Sequence, residues 1–93
     1  MTAQNPLSRD VTVMLENGLH MVPCSRIAEL VREFPGTVSI RHDEKSVDAK
    51  SIFDLLTLRA PFGTILTLEA SGQGAAHLVD GLAALFERNF EPE

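Results

Sequence analysis

A chain of 93 residues, 44% apolar and 23% charged, is long enough for one thin-cored domain and too apolar to be disordered. Thirteen acidic against eight basic residues leave a formal net charge of −5, which makes a poor surface for nucleic acid. No window approaches the roughly 20 apolar residues of a membrane span. The N-terminus lacks the order of a signal peptide, and Cys24, the lone cysteine, excludes an internal disulfide; the expected setting is the reducing cytoplasm.

Residues 1–7, with Pro6 among polar neighbours, read as a short flexible leader to a single domain over 8–90. Across 8–15, Val11, Val13 and Leu15 alternate with Thr12 and Met14, the pattern of a strand with one buried face. Glu16-Asn17-Gly18 breaks it, because Asn and Gly adopt turn conformations at little cost. A helix follows, with Pro23 near its start and Ile27, Leu30, Val31 and Phe34 spaced for one face. Pro35-Gly36 ends it. Val38 and Ile40 mark a second strand over 37–42, and the polar Asp43-Glu44-Lys45 turns the chain into a short third strand over 46–49, close enough to form a hairpin.

A short helix over 51–58 carries Ile52, Leu55 and Leu56, of which adjacent Leu55 and Leu56 cannot both point fully inward. After a turn over 59–63 come a last strand over 64–70, a loop over 71–74 and a final helix over 75–86. That helix has Ala75, Leu78, Val79, Leu82 and Phe86 as its apolar stripe. Alternating strands need one covered face, so the order β-α-β-β-α-β-α predicts an α+β two-layer open-faced sandwich. In it a four-stranded antiparallel sheet is covered on one side by three helices.

The chemically informative stretch is Asn17-Gly18-Leu19-His20-Met21-Val22-Pro23. It sets a histidine at the junction of a tight turn and a helix start, where backbone N–H groups have no intrahelical partner and the helix dipole is positive. The amides of Met21 and Val22 are therefore candidates to hold a phosphoryl group on His20. Attack on phosphorus needs the lone pair of a neutral ring nitrogen. From position alone, a histidine here is also read as a capping or surface residue.

Asn-Gly-Leu-His-x-x-Pro resembles the active-centre motif of the HPr family, phosphocarriers of the bacterial phosphoenolpyruvate-dependent sugar phosphotransferase system. Ala49-Lys50-Ser51-Ile52-Phe53-Asp54-Leu55-Leu56 is similar to the family segment that opens its second helix, and Gly63-Thr64-Ile65-Leu66-Thr67-Leu68 to its last strand. The resemblance covers nearly the whole chain after the leader. It implies that His20 accepts a phosphoryl group from enzyme I and donates it to enzyme II A domains, with no cofactor and no catalytic turnover of the chain's own. It further implies that Ser51 caps the second helix and is open to phosphorylation by an HPr kinase/phosphorylase. An apolar contact patch would comprise Leu19, Met21, Val22, Phe53 and Leu56. Domains of this kind are usually monomeric.

The sequence departs from the family at Val22, where an arginine is usual; valine offers no fork of donors to phosphate. Arg26, one turn on, and Arg59, in a turn where the family commonly has glycine, are the candidate replacements. Without a replacement, the rival reading is an HPr-like regulatory binding protein with weak histidine phosphotransfer. It would be controlled at Ser51 and directed at a transcription regulator or an enzyme. Cys24 reads as a small buried filler. His42 and His77 lie far apart in the pattern, so no metal site is expected.

Overall fold

The computed structural model describes residues 6–91. The elements run β1 (Leu7–Thr12), α1 (Met21–Val31), β2 (Thr37–His42), β3 (Lys45–Asp48), α2 (Ile52–Leu56), β4 (Ile65–Ser71) and α3 (Ala75–Glu87). The strands form one antiparallel sheet in the order β1-β4-β2-β3. The predicted α+β two-layer order is the observed one.

Alternation sorts the sheet into two faces. Val11, Val38, Ile40, Val47, Leu66, Leu68 and Ala70 are buried on the helix side. The open side carries polar pairs: Thr67 Oγ1 donates to Asp10 Oδ1 at 2.8 Å, and Arg41 pairs with Glu69 at 3.3 Å. On the covered side, α3 lies over β1 and β4, while α1 packs beside α2 and α3. Arg9 of β1 reaches Asp80 at 3.0 Å and Glu87 at 3.4 Å, both on α3, tying the edge strand to the helix above it. The two-residue turn between β2 and β3 holds Asp43 at φ 55, a left-handed conformation that a short polar side chain tolerates.

Boundaries differ from the sequence expectations by one to a few residues. The first strand ends at Thr12 rather than 15, although Val13 still exchanges backbone bonds, donating to Thr64 at 2.8 Å and accepting from Gly63 at 2.7 Å. Leu15 is therefore only half-buried beyond the ladder. Leu7, placed in the leader by sequence, already pairs with Ala70; residues 1–5 of that leader lie outside the described residues. At the other end, Phe90 is buried with its ring 4.8 Å from Phe86.

One core assignment is corrected. Leu30 is 44% exposed, and the buried stripe of α1 is Cys24, Ile27, Ala28 and Val31. The stripe is rotated because Leu30 sits at the flank facing α3, where its Cδ2 lies 3.9 Å from the position a Gly81 Cβ would take. Cys24 is fully buried, and burial raises its thiol pKa to about 11. The cysteine packs as a filler, its Sγ 3.7 Å from the Leu19 carbonyl.

Candidate functional site

The junction before α1 is built by Gly18. Its φ of 71 lies in the left-handed region, and a Cβ there would stand 2.6 Å from the Ala60 carbonyl oxygen. Only glycine satisfies both demands. With Gly18 in place, the Leu19 N–H donates to the Ala60 carbonyl at 2.8 Å, docking the turn after α2 onto the turn before α1. Leu19 thereby enters the core at 5% exposure. This corrects its sequence assignment as an exposed partner contact: the backbone bond to Ala60 pulls the side chain inward.

His20 is the N-cap of α1, with φ −94 and ψ −164. Its N–H bonds back to the Gly18 carbonyl at 3.0 Å, and its carbonyl accepts the first helical bond, from Cys24 N–H at 3.1 Å. The imidazole makes no capping hydrogen bond, and the residue is exposed. A side-chain cap would normally satisfy an amide of the first turn. Here the N–H groups of Met21 and Val22 have no hydrogen-bond partner among the described residues, and Pro23 has no N–H to satisfy. The first turn contains no acidic residue. The result is a free ring beside two free donors at the positive end of an 11-residue helix.

Around this centre, the side chains of Met21 and Val22 are exposed, as is Phe53 at 78%. Leu56 is half-buried, and its neighbour Leu55 is fully buried. Arg59 follows α2 with φ 50; it is exposed and directly precedes Ala60, the residue bonded to Leu19. Arg26 instead lines a cleft with Glu29, Leu30, Leu85 and Arg88, between α1 and α3. The structure thus brings the Arg59 turn to the His20 junction and leaves Arg26 on the flank.

Ser51 is the N-cap of α2, and its Oγ accepts a bond from the Asp54 N–H at 3.2 Å. It lies in a cleft with Ser25, Ala28, Glu29, Arg32 and Lys50. That places it about two turns of α1, ~11 Å, from the His20 end. Lys50 has a role that sequence reasoning missed: its Nζ donates to the carbonyls of Phe34 at 2.6 Å and Gly36 at 3.3 Å, capping the exit from α1. A lysine placed after a hairpin carries no sequence signal of that partner. Among the described residues no group of three or more metal-ligating side chains occurs, and no helix is long and apolar enough to cross a membrane.

This geometry belongs to a recurrent architecture. The chain is 37% identical to the phosphocarrier protein HPr of Haemophilus influenzae over 78 residues, covering 84% of this chain and 92% of that protein. It is 34% identical to the phosphocarrier protein NPr of Shewanella violacea over 85 residues, covering 91% of this chain and 93% of that protein. The solved structure of HPr-C-His from Thermoanaerobacter tengcongensis superposes with a TM-score of 0.87 at 25% identity, over 94% of this chain and 98% of that one. Residues 7–88 match the PTS-HPr family, the PTS HPr component phosphorylation site, and the chain belongs to that family of phosphocarriers.

Proposed function

We propose that the protein carries a phosphoryl group on His20, taking it from phosphorylated enzyme I and giving it to enzyme II A domains in the cytoplasm. The observation that carries this reading is the exposed, uncapped His20 ring beside the unpartnered amides of Met21 and Val22. The ring nitrogen lone pair forms the N–P bond while the donor's bond to phosphorus breaks, its electron pair staying with the donor. The two amides and the helix dipole then stabilise the charge that the ring has acquired. Donation reverses the step, so the protein ends each cycle unchanged and acts as a carrier of the phosphoryl group. Met21, Val22, Phe53 and Leu56 form the apolar surface offered to both partners.

Incubation with phosphoenolpyruvate and a cognate enzyme I tests the proposal. An acid-labile, alkali-stable phosphoryl group that vanishes in His20→Ala supports it. A label that persists in His20→Ala, or fails to form with a competent donor, removes it.

Val22 favours a second reading, since this exposed apolar side chain brings no cation to the first turn. In that reading the protein regulates by binding, switched by a kinase acting on Ser51 and directed at a transcription regulator or an enzyme. Phosphate on Ser51 would share the α2 N-terminus with Asp54, and Arg32 and Lys50 line the same cleft. Binding of such a target only after ATP-dependent modification of Ser51, together with no labelling of His20, would favour this route over the carrier.

A further inference from the structure

Among the described residues, four other than glycine have left-handed backbones: Asp43, Arg59, Asn89 and Phe90. Asp and Asn tolerate that region through local hydrogen bonding. Phe90 is compensated by burial of its ring against Phe86. Arg59 has neither relief. Its N–H closes α2 on the Leu56 carbonyl, but its side chain is exposed and makes no hydrogen bond or ion pair among the described residues, so no side-chain contact offsets the cost of an L-residue at φ 50.

The charges elsewhere sharpen the point. Arg9 is held by Asp80 and Glu87, Arg41 by Glu69, and Lys45 and Lys50 donate to backbone carbonyls of Thr57 and Phe34. Arg88 donates to the Glu91 carbonyl. Arg26 and Arg32 line clefts further along α1. Arg59 alone is tied to the His20 end of the helix, through the bond from Leu19 to Ala60, and the first turn of α1 holds no cation.

We propose that Arg59 is the phosphoryl-binding side chain of this centre, its guanidinium swinging onto the group carried by His20. The assignment rests on the carrier reading above and adds the cation that reading lacks. At a position whose backbone suits glycine, an arginine brings the fork of N–H donors that a phosphoryl group can take.

The test uses the full chain charged on His20 with phosphoramidate, whose P–N bond breaks as the ring N–P bond forms and ammonia leaves with the proton. The phosphorus resonance is then titrated with pH. Arg59→Gly and Arg59→Gln should each raise the midpoint of the second phosphoryl ionisation by about half a unit, a screened, exposed cation acting less than a buried one. Arg59→Lys should retain most of the parent value. Transfer from enzyme I should slow by about tenfold in the first two variants, below the 10²–10³ of a fully enclosed donor. Arg59→Gly should also melt above the parent, because glycine accepts the left-handed backbone without strain.

Unchanged midpoints in Arg59→Gly and Arg59→Gln overturn the role of Arg59 and leave the carrier standing. An Arg59→Gly protein that melts below the parent makes the arginine structural and overturns it as well. A parent labelled on His42 or His77 but not on His20 sinks the carrier reading and the assignment together.

Discussion

The two helices that meet in front of the sheet begin in opposite ways. α2 opens with Ser51, whose Oγ accepts the Asp54 N–H, and Asp54 adds a negative charge to the first turn. α1 opens with His20, whose ring caps nothing, and its first turn holds neither an acid nor a partner for the Met21 and Val22 amides. One helix start is satisfied from within its own chain, and the other is left open. An N-cap is worth typically ~1 kcal/mol, so leaving α1 without one gives up stability at the place where an anion can supply it. The difference separates a start whose donors the fold satisfies from one whose donors it leaves free.

That contrast can be broken most severely at the junction itself. Replacing His20 with Ala removes the group proposed to take phosphorus from enzyme I, so phosphoryl uptake from that donor should fall to background while denaturation midpoints stay within ~0.5 kcal/mol of the parent. A large loss of stability would show that the ring is structural. Gly18→Ala attacks the same place through the backbone: a Cβ 2.6 Å from the Ala60 oxygen and a left-handed φ should cost ~3 kcal/mol or more, measured by urea unfolding. Uptake should fall too, since the Arg59 turn would be pushed off His20.

A pH test reads the packing beneath the open helix start. The Cys24 thiol is raised from 9.0 to about 11 by burial, so the folded chain keeps its proton where the unfolded chain has lost it. Bound protons are then fewer in the unfolded state, and stability should decline between pH 9 and 11 by ~2 kcal/mol relative to Cys24→Ala. Parallel stability profiles for parent and variant over that window would show that the thiol is not desolvated.

The smallest effects probe the two helix starts one at a time. Ser51→Ala should destabilise by ~1 kcal/mol through the lost cap on Asp54 N–H. His20→Asp should stabilise by a similar ~1 kcal/mol, its carboxylate accepting the free Val22 N–H and meeting the positive end of the dipole. It should do so while abolishing phosphoryl uptake. If thermal unfolding shows no gain in His20→Asp, the first turn of α1 is not short of a cap.

Much of this was readable along the chain. The element order followed from period-two and 3.6-residue patterns with Pro and Gly as punctuation, and the Asn17–Pro23 motif marked His20 before any geometry was known. Ser51 as a cap came from the family resemblance of the Ala49–Leu56 segment, and its Oγ does accept the Asp54 N–H. The misplaced residues were ones whose environment comes from elsewhere. Leu19 sits beside an exposed histidine, and an apolar side chain there reads equally well as contact or core; a carbonyl from Ala60 decided for the core. Leu30 fits the helical spacing of Ile27 and Val31, yet the approach of α3 placed the seam one position round.

Periodicity, capping and turn chemistry act between residues a few positions apart, so the helices, the strands and the place of the histidine can be read from the order of residues alone. The left-handed backbone of Arg59 closes α2 locally, its N–H donating to the Leu56 carbonyl, but the placing of that turn beside the His20 junction depends on the bond from Leu19 to Ala60, two residues remote in the chain. Such a bond exists only once the sheet has closed and α2 has packed along α1, so which arginine-bearing turn lies beside the open end of the helix could be learned only from the packed fold.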